Sequence, residues 1–356
     1  MTFSKGFFWG SATAAYQIEG GINNNWTKFF DAGQACDSYN RFQEDFDIAK
    51  SLGHNAHRFS IEWSRVEPEQ GKFNEKEIKH YQKVIDALRK RNIEPFVTLW
   101  HFTNPLWVKD ISQWGNYINK ITKSLKGVNF WITINEPEIY SINSYLKGLW
   151  PPKKKNFISY LLMLKKFIKA HKQAYKIIKG NQPNAKIGIA KNNIYFEGWP
   201  ISFFDNWWWN EFFLNKIKNE QDFIGLNYYF HRHFPKNENK EVSDMGWEIY
   251  PEGIYHVLKN LKKYNKPVYI TENGIADSKD IKRAKFITDH LRWVEKAIGE
   301  RVDVRGYFYW SLLDNFEWAH GFGPRFGLVE MDYKTMERKI RPSAREYKKI
   351  IENNGL

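Results

Sequence analysis

Eight apolar, β-branched runs alternate along the chain with eight stretches of helical periodicity, and few folds accommodate that order. The strand-like runs are Phe7 to Ala15, Ala56 to Trp63, Glu94 to His101, Asn129 to Glu136, Ala185 to Asn192, Asp222 to Tyr229, Pro267 to Gly274 and Val304 to Asp314. Helical patterns lie near residues 40–52, 74–91, 112–126, 157–180, 204–219, 251–264, 282–299 and 342–354. Strands that are apolar on both faces belong to parallel sheets covered by helical crossovers. Eight β-then-α units in 356 residues, with no linker or low-complexity segment between them, predict an α/β fold, a single (β/α)8 barrel domain over residues 1–356.

In such a barrel the chemistry sits at the C-terminal ends of the strands. Two strand candidates end on a carboxylate: Phe130-Trp-Ile-Thr-Ile-Asn135-Glu136-Pro137 and Pro267-Val-Tyr-Ile-Thr271-Glu272-Asn273-Gly274. Alternation puts Glu136 on the face of Ile132 and Ile134, and Glu272 on the face of Val268 and Ile270. Asn135 has the opposite parity, so it reaches the same mouth only if its strand bulges at the end. Other strand ends supply Gln17 and Glu19, Arg58, Trp100-His101, Asn227-Tyr228-Tyr229, and Trp310 followed by Asp314-Asn315-Phe316-Glu317-Trp318. Each residue alone has a structural explanation: Arg58 could pair with any acid, and His101 could be a core histidine. Their convergence on one rim describes a pocket for a polyhydroxylated ligand with flat apolar faces, a sugar. Two carboxylates across a glycosidic bond are the apparatus of glycoside hydrolysis.

Composition narrows the alternatives. No apolar run is long enough to span a membrane. The N-terminal residues Met1 to Trp9 do not have the form of a secretory signal, and one cysteine, Cys36, cannot form an internal disulfide, so the expected compartment is the cytoplasm. The formal charge of +14 attracts anions, but the lysines are spread over solvated helix faces, so nucleic acid is not expected as partner, and without a long apolar run neither is a membrane. No metal or organic cofactor is called for. His231-Arg232-His233 comes nearest to a ligand cluster, and without a third ligand nearby it is weak. Aromatic content is unusual, with 16 Trp, 19 Tyr and 27 Phe; most of these rings belong in the core, and some are free to stack on sugar.

The ordered motifs resemble those of glycoside hydrolase family 1, the retaining β-glucosidases and β-glycosidases. They are Phe7-Phe-Trp-Gly-Ser-Ala-Thr-Ala-Ala-Tyr-Gln-Ile-Glu-Gly20, Arg58-Phe-Ser-Ile-Glu-Trp-Ser-Arg65, Thr133-Ile-Asn-Glu-Pro137, Thr271-Glu-Asn-Gly274, Tyr309-Trp-Ser-Leu-Leu-Asp-Asn-Phe-Glu-Trp318 and Arg325-Phe-Gly-Leu-Val329. The resemblance implies Glu136 as acid/base and Glu272 as nucleophile, with Arg58 and Tyr229 contacting the nucleophile. It implies Gln17, His101, Asn135, Asn227, Trp310, Glu317, Trp318 and Phe326 as the substrate-binding set. The implied activity is hydrolysis of β-D-glucosides, with β-galactosides and β-fucosides as further substrates, on a small glycoside or oligosaccharide. A negative charge at Glu317 would repel phosphate, which favours plain glycosides over 6-phosphoglycosides.

The chain is short for that family, and the deficit falls between the two glutamates. A reduced wall there implies a wider acceptor side, so a transglycosidase is one alternative reading, and a non-catalytic sugar-binding barrel is another. Where structure is trimmed, the sequence carries one aromatic stretch, Phe203 to Phe213. Trp207, Trp208 and Trp209 cannot all face one way on a helix. These rings either seal the barrel or form a contact surface for self-association or for a bulky apolar aglycone.

Overall fold

A computed structural model describes residues 3–198, 201–234 and 240–356. Its centre is a closed barrel of eight strands in chain order: β1 (Phe8–Ala12), β2 (Ala56–Ser60), β3 (Glu94–Trp100), β4 (Phe130–Asn135), β5 (Lys186–Glu197), β6 (Phe223–His233), β7 (Val268–Asn273) and β8 (Val304–Trp310). Every neighbouring pair is parallel, and β8 closes on β1 with Phe8 opposite Gly306 and Ala12 opposite Trp310. All eight strand readings correspond to strands. Helices, including Ser38–Ser51, Glu75–Lys90, Gly115–Ser124, Phe157–Asn181, Glu252–Leu261, Arg283–Gly299 and Pro342–Asn353, connect the strands or close the chain. None among the described residues is long and apolar enough to cross a membrane.

The barrel floor accounts for many of the rings. Phe8, Phe96, Phe130, Phe223, Tyr269 and Phe308 meet inside it, with Phe96 and Phe130 stacked at 4.2 Å. Small residues make room for them: Gly10, Ala56, Ala190, Gly225 and Gly306 alternate with the large rings, as the taper of a small barrel requires.

The strand ends depart from regular pairing where the chemistry is expected. Register shifts occur between Ile132 and Asn135 on β4, between Leu226 and Asn227 on β6, and between Ile270 and Asn273 on β7. The first shift is the bulge that Asn135 requires. It is followed by Glu136 in the left-handed region, φ 42° and ψ 61°, at the start of a helical turn from Pro137. Gly274 answers a different demand: a Cβ there would sit 1.8 Å from the Trp310 carbonyl oxygen, so only glycine lets the ends of β7 and β8 approach.

Several boundaries differ from the sequence reading. β1 stops at Ala12 and turns into a short helix, Ala15–Ile18; β8 stops at Trp310. β5 and β6 run beyond the barrel, pairing from Ile194 opposite Phe230 to Glu197 opposite His233 after a shift at Asn193. The apolar run Ile194-Tyr195-Phe196 gives that extension a partnered edge. The expected helix at 204–219 is broken into Ile201–Asn206, a π-helical turn Trp207–Glu211 and Phe212–Ile217. Three consecutive indoles cannot pack on one side of a regular helix, and the wide turn lets Trp208 donate from Nε1 to the Tyr160 hydroxyl at 3.2 Å.

Candidate active site

Glu272 is held from two sides. The fully buried Arg58 donates from Nη1 to Glu272 Oε1 at 2.6 Å, and the Tyr229 hydroxyl donates to Oε2 at 2.8 Å. Arg58 is itself fixed, because its Nε donates to Thr98 Oγ1 at 3.0 Å and its Nη2 to Asn135 Oδ1 at 2.6 Å. Glu136 stands at the bulged end of β4. Its Oε1 accepts from Asn227 Nδ2 at 2.9 Å and from Asn192 Nδ2 at 3.0 Å. Asn227 also donates to Asn135 Oδ1 at 3.2 Å and accepts from Thr271 Oγ1 at 2.7 Å. One polar chain therefore runs from Glu272 through Arg58, Asn135 and Asn227 to Glu136, and it fixes the two carboxyls relative to each other.

Their electrostatics diverge. Burial, reinforced by the nearby Glu272 charge, pushes Glu136 up to about 8, and the two asparagine amides and Arg58 offset only part of this. Burial also raises Glu272, but the Arg58 cation and the Tyr229 hydroxyl favour its charged form. Glu272 ionises first, and its charge keeps the proton on Glu136. Burial, with Glu272 beside it, holds the Tyr229 phenol well above its usual range, so it stays a donor.

Both carboxyls open into a cavity of about 440 Å³ at the mouth of the barrel. Of the expected residues, His101, Asn135, Glu136, Tyr229, Glu272, Trp310, Glu317, Trp318 and Phe326 line it. Asn135 donates from Nδ2 to His101 Nε2 at 3.2 Å. Because Asn135 Oδ1 already faces two donors, that assignment places the imidazole proton on Nδ1, which has no hydrogen-bond partner among the described residues. Burial and Arg58 hold His101 well below its usual range, hence neutral. Its ring lies parallel to Trp310 and to Trp318, 5.9 Å from each.

Gln17, Arg58 and Asn227 stand one layer back from the wall. Gln17 is buried behind Glu317, donating from Nε2 to Asn315 Oδ1 and the Phe316 carbonyl at 2.9 Å and to Glu317 Oε2 at 3.3 Å. Its Oε1 has no hydrogen-bond partner among the described residues. His231 lies elsewhere, with its ring nitrogens 3.0 Å from Glu248 and 3.1 Å from Glu197.

Glu317 behaves differently from a simple anion. Burial, then repulsion from Glu272 and Glu136, raises its carboxyl to about 8. The repulsion of phosphate read from the sequence therefore acts in full only above that pH. A carboxyl whose folded pKa exceeds its unfolded value contributes stability below the unfolded pKa, and that stability is lost as pH rises through the folded one. Glu317→Gln is therefore expected to gain on the unchanged chain, by on the order of 1–2 kcal/mol, as pH rises from about 5 to 9. Thermal melts of both proteins across that range check it; a difference independent of pH would contradict the assignment.

Asn192 was missed by reading sequence. It ends the fifth strand candidate, so completing the survey of strand ends would have found it. Behind it, Lys191 is fully buried, 3.1 Å from Glu138 Oε1, and donates to the Trp209 carbonyl at 2.6 Å, which ties the aromatic stretch to β5. The aromatic outer lining, Phe30, Trp150, Phe230 and Trp247, was also missed. These rings come from loops and strand extensions whose placement no local periodicity reveals.

Comparison with known proteins identifies the family and the fold. The family model for glycosyl hydrolase family 1 matches residues 1–198 and 210–356. A 1,4-β-D-glucan glucohydrolase of Thermotoga neapolitana is 36% identical, with 99% of each chain covered. The alignment runs over 445 positions, so the length difference from these 356 residues is taken up inside it. Among solved structures, a β-glycosidase from Pyrococcus horikoshii is 37% identical with a TM-score of 0.93, covering 99% of this chain and 95% of that one. A β-glucosidase from Thermotoga maritima in complex with glucoimidazole is 34% identical with a TM-score of 0.91, covering 100% and 99%. With its barrel, its two strand-end glutamates and the matched motifs in order, the chain belongs to glycosyl hydrolase family 1.

Proposed function

We propose that the chain is a retaining β-glycosidase that hydrolyses β-D-glucosides, and also β-galactosides and β-fucosides, by double displacement. It works as a single catalytic barrel in the cytoplasm. The observation that carries the reading is the asymmetry of the two carboxyls: Glu272 is paired with Arg58 at 2.6 Å, whereas Glu136 is pushed up to about 8 and made to hold its proton. That is one nucleophile and one acid facing the same cavity.

In the first step Glu272 attacks the anomeric carbon while Glu136 protonates the departing oxygen. The ester formed at Glu272 carries no charge, so the repulsion that reinforced burial in keeping Glu136 protonated is gone. Glu136 then takes a proton from water, which attacks the same carbon and releases the sugar with its configuration retained. Asn135 hydrogen-bonds the sugar 2-hydroxyl, His101 and Glu317 take other hydroxyls, and Trp310 lies against the sugar face. Gln17 and Asn227 act as positioning residues behind them. A pure sugar-binding barrel would not need the Arg58 and Tyr229 clamp on Glu272, and no observation favours a transglycosidase over hydrolysis.

The test is a panel of aryl β- and α-glycosides, with the first-formed anomer followed by proton NMR. Cleavage of β-glucoside with release of β-glucose is expected. Release of α-glucose would reject double displacement. A folded protein that binds glucose but cleaves nothing would reject the enzyme reading.

A further inference from the structure

The aromatic stretch partly seals the barrel: Phe213, Leu214 and Ile217 are buried. Its beginning does the opposite. Phe203 is 79% and Phe204 63% exposed, and Trp207 is exposed beside them. On the neighbouring helix, Phe157 is 59% and Ile158 67% exposed, with Leu162 exposed one turn on. The two groups lie close together, linked through the partly buried Trp208 and the buried Tyr160. Phe204 lies 6.2 Å from Trp207, Trp207 lies 6.3 Å from Trp208, Trp208 bonds Tyr160, and Tyr160 lies 6.0 Å from Phe157. Six large exposed apolar side chains on two adjoining elements mark an interaction site.

Charge identifies the occupant. Residues 147–170 contain Lys147, Lys153, Lys154, Lys155, Lys165, Lys166 and Lys169 and no acidic residue. Lys165 and Lys169 continue the face of Ile158 and Leu162 along the helix, at the spacing of one helical stripe. Lys166 pairs with Asp110 at 2.6 Å, and Asp205 is the acid within Ile201 to Asn210. The surface is thus apolar at its centre and basic at its edge. A second copy of this chain, the occupant suggested by the aromatic sequence, would set the same lysines face to face in a two-fold contact. A single-stranded nucleic acid could stack on the rings but would find no use for Ile158 and Leu162. A bilayer carrying anionic headgroups satisfies both parts, since rings and aliphatic chains enter the headgroup boundary while lysines meet the phosphates.

We propose that the chain docks peripherally on anionic lipid surfaces through Phe157, Ile158, Leu162, Phe203, Phe204 and Trp207, steered by the flanking lysines. Such docking needs no membrane-spanning segment, so the absence of a long apolar run, on which the expectation of no membrane rests, does not bear on it. It does not depend on the catalytic assignment.

The test is co-sedimentation of the full chain with phosphatidylcholine vesicles, with and without about 30% phosphatidylglycerol, at physiological salt. Aryl glycoside turnover serves as the folding control. Binding to the anionic vesicles alone is expected, weakened by added salt. At least about tenfold loss is expected in Phe203→Ser/Phe204→Ser and in Lys165→Glu/Lys169→Glu, both with normal turnover. Failure of the unchanged chain to sediment with anionic vesicles would overturn the proposal. So would binding that survives loss of the two phenylalanines, or a lipid-free dimer that the same substitutions disperse.

Discussion

Glu272→Ala is expected to lower kcat on an aryl β-glucoside by on the order of 10⁴-fold or more, because it removes the atom that forms the covalent bond. Alanine also leaves the Arg58 guanidinium and the Tyr229 hydroxyl without their acceptor. A buried cation stripped of its partner costs about 3–5 kcal/mol, so stability falls along with activity. Glu272→Gln separates the two effects, since the amide oxygen still accepts from Arg58 Nη1, where the carboxylate accepts at 2.6 Å. It should be folded at the same temperatures as the parent, yet equally inactive. In the alanine variant a small anion such as azide can occupy the vacated space beside Arg58. Added azide should restore turnover and yield the α-glycosyl azide, because a single displacement inverts the carbon. The measurement is kcat with and without azide, together with product configuration and thermal melts. Activity of Glu272→Gln within about tenfold of the parent would remove Glu272 from the nucleophile role.

The parts of this site legible in the sequence are those fixed by strand order. Two apolar runs ending in Glu136 and Glu272 identified both carboxyls, because a barrel aligns its strand ends without regard to how far apart they lie in sequence. The bulge at Asn135 was legible as a demand of parity, although its position came only with the register shift after Ile132. What stayed hidden depends on side-chain direction and on loops. Gln17 resembles a wall residue by position, but the short helix at Ala15–Ile18 turns it behind Glu317. The charge of Glu317 could not be read at all, since it follows from its burial and then from two other carboxyls that only the fold brings near. Trp247 reaches the cavity from residues 240–250, a segment with no periodicity, where its ring meets Phe230 at 4.8 Å and Tyr229 at 5.7 Å. The π-helical turn at Trp207 splits the aromatic stretch into a sealing half and an exposed half, a division that the run of indoles did not announce.

Glu136→Ala should produce an effect that depends on the leaving group. A dinitrophenolate departs without a proton, so glycosylation by a dinitrophenyl β-glucoside should stay within about tenfold of the parent. An alkoxide cannot depart unaided, and cleavage of an alkyl β-glucoside should fall by about 10³–10⁴-fold. Hydrolysis of the ester at Glu272 also needs Glu136, now as base, so the dinitrophenyl substrate should show a burst followed by slow turnover. The pH profile supplies an independent reading. With Glu136 pushed up to about 8, kcat/KM of the parent on an alkyl glucoside should decline above that pH as the proton is lost. The decline follows from the sign of the shift, since the acid is competent only while protonated, and it should be absent from the dinitrophenyl profile of Glu136→Ala. Asn192→Ala and Asn227→Ala remove hydrogen bonds that favour the charged form of Glu136, so each should move the alkaline decline upward rather than abolish it. Equal losses on both leaving groups, or an alkaline limb that survives in Glu136→Ala, would mean that the proton comes from another group. Glu317 would then be the candidate, as the other carboxyl in the cavity that is pushed to about 8.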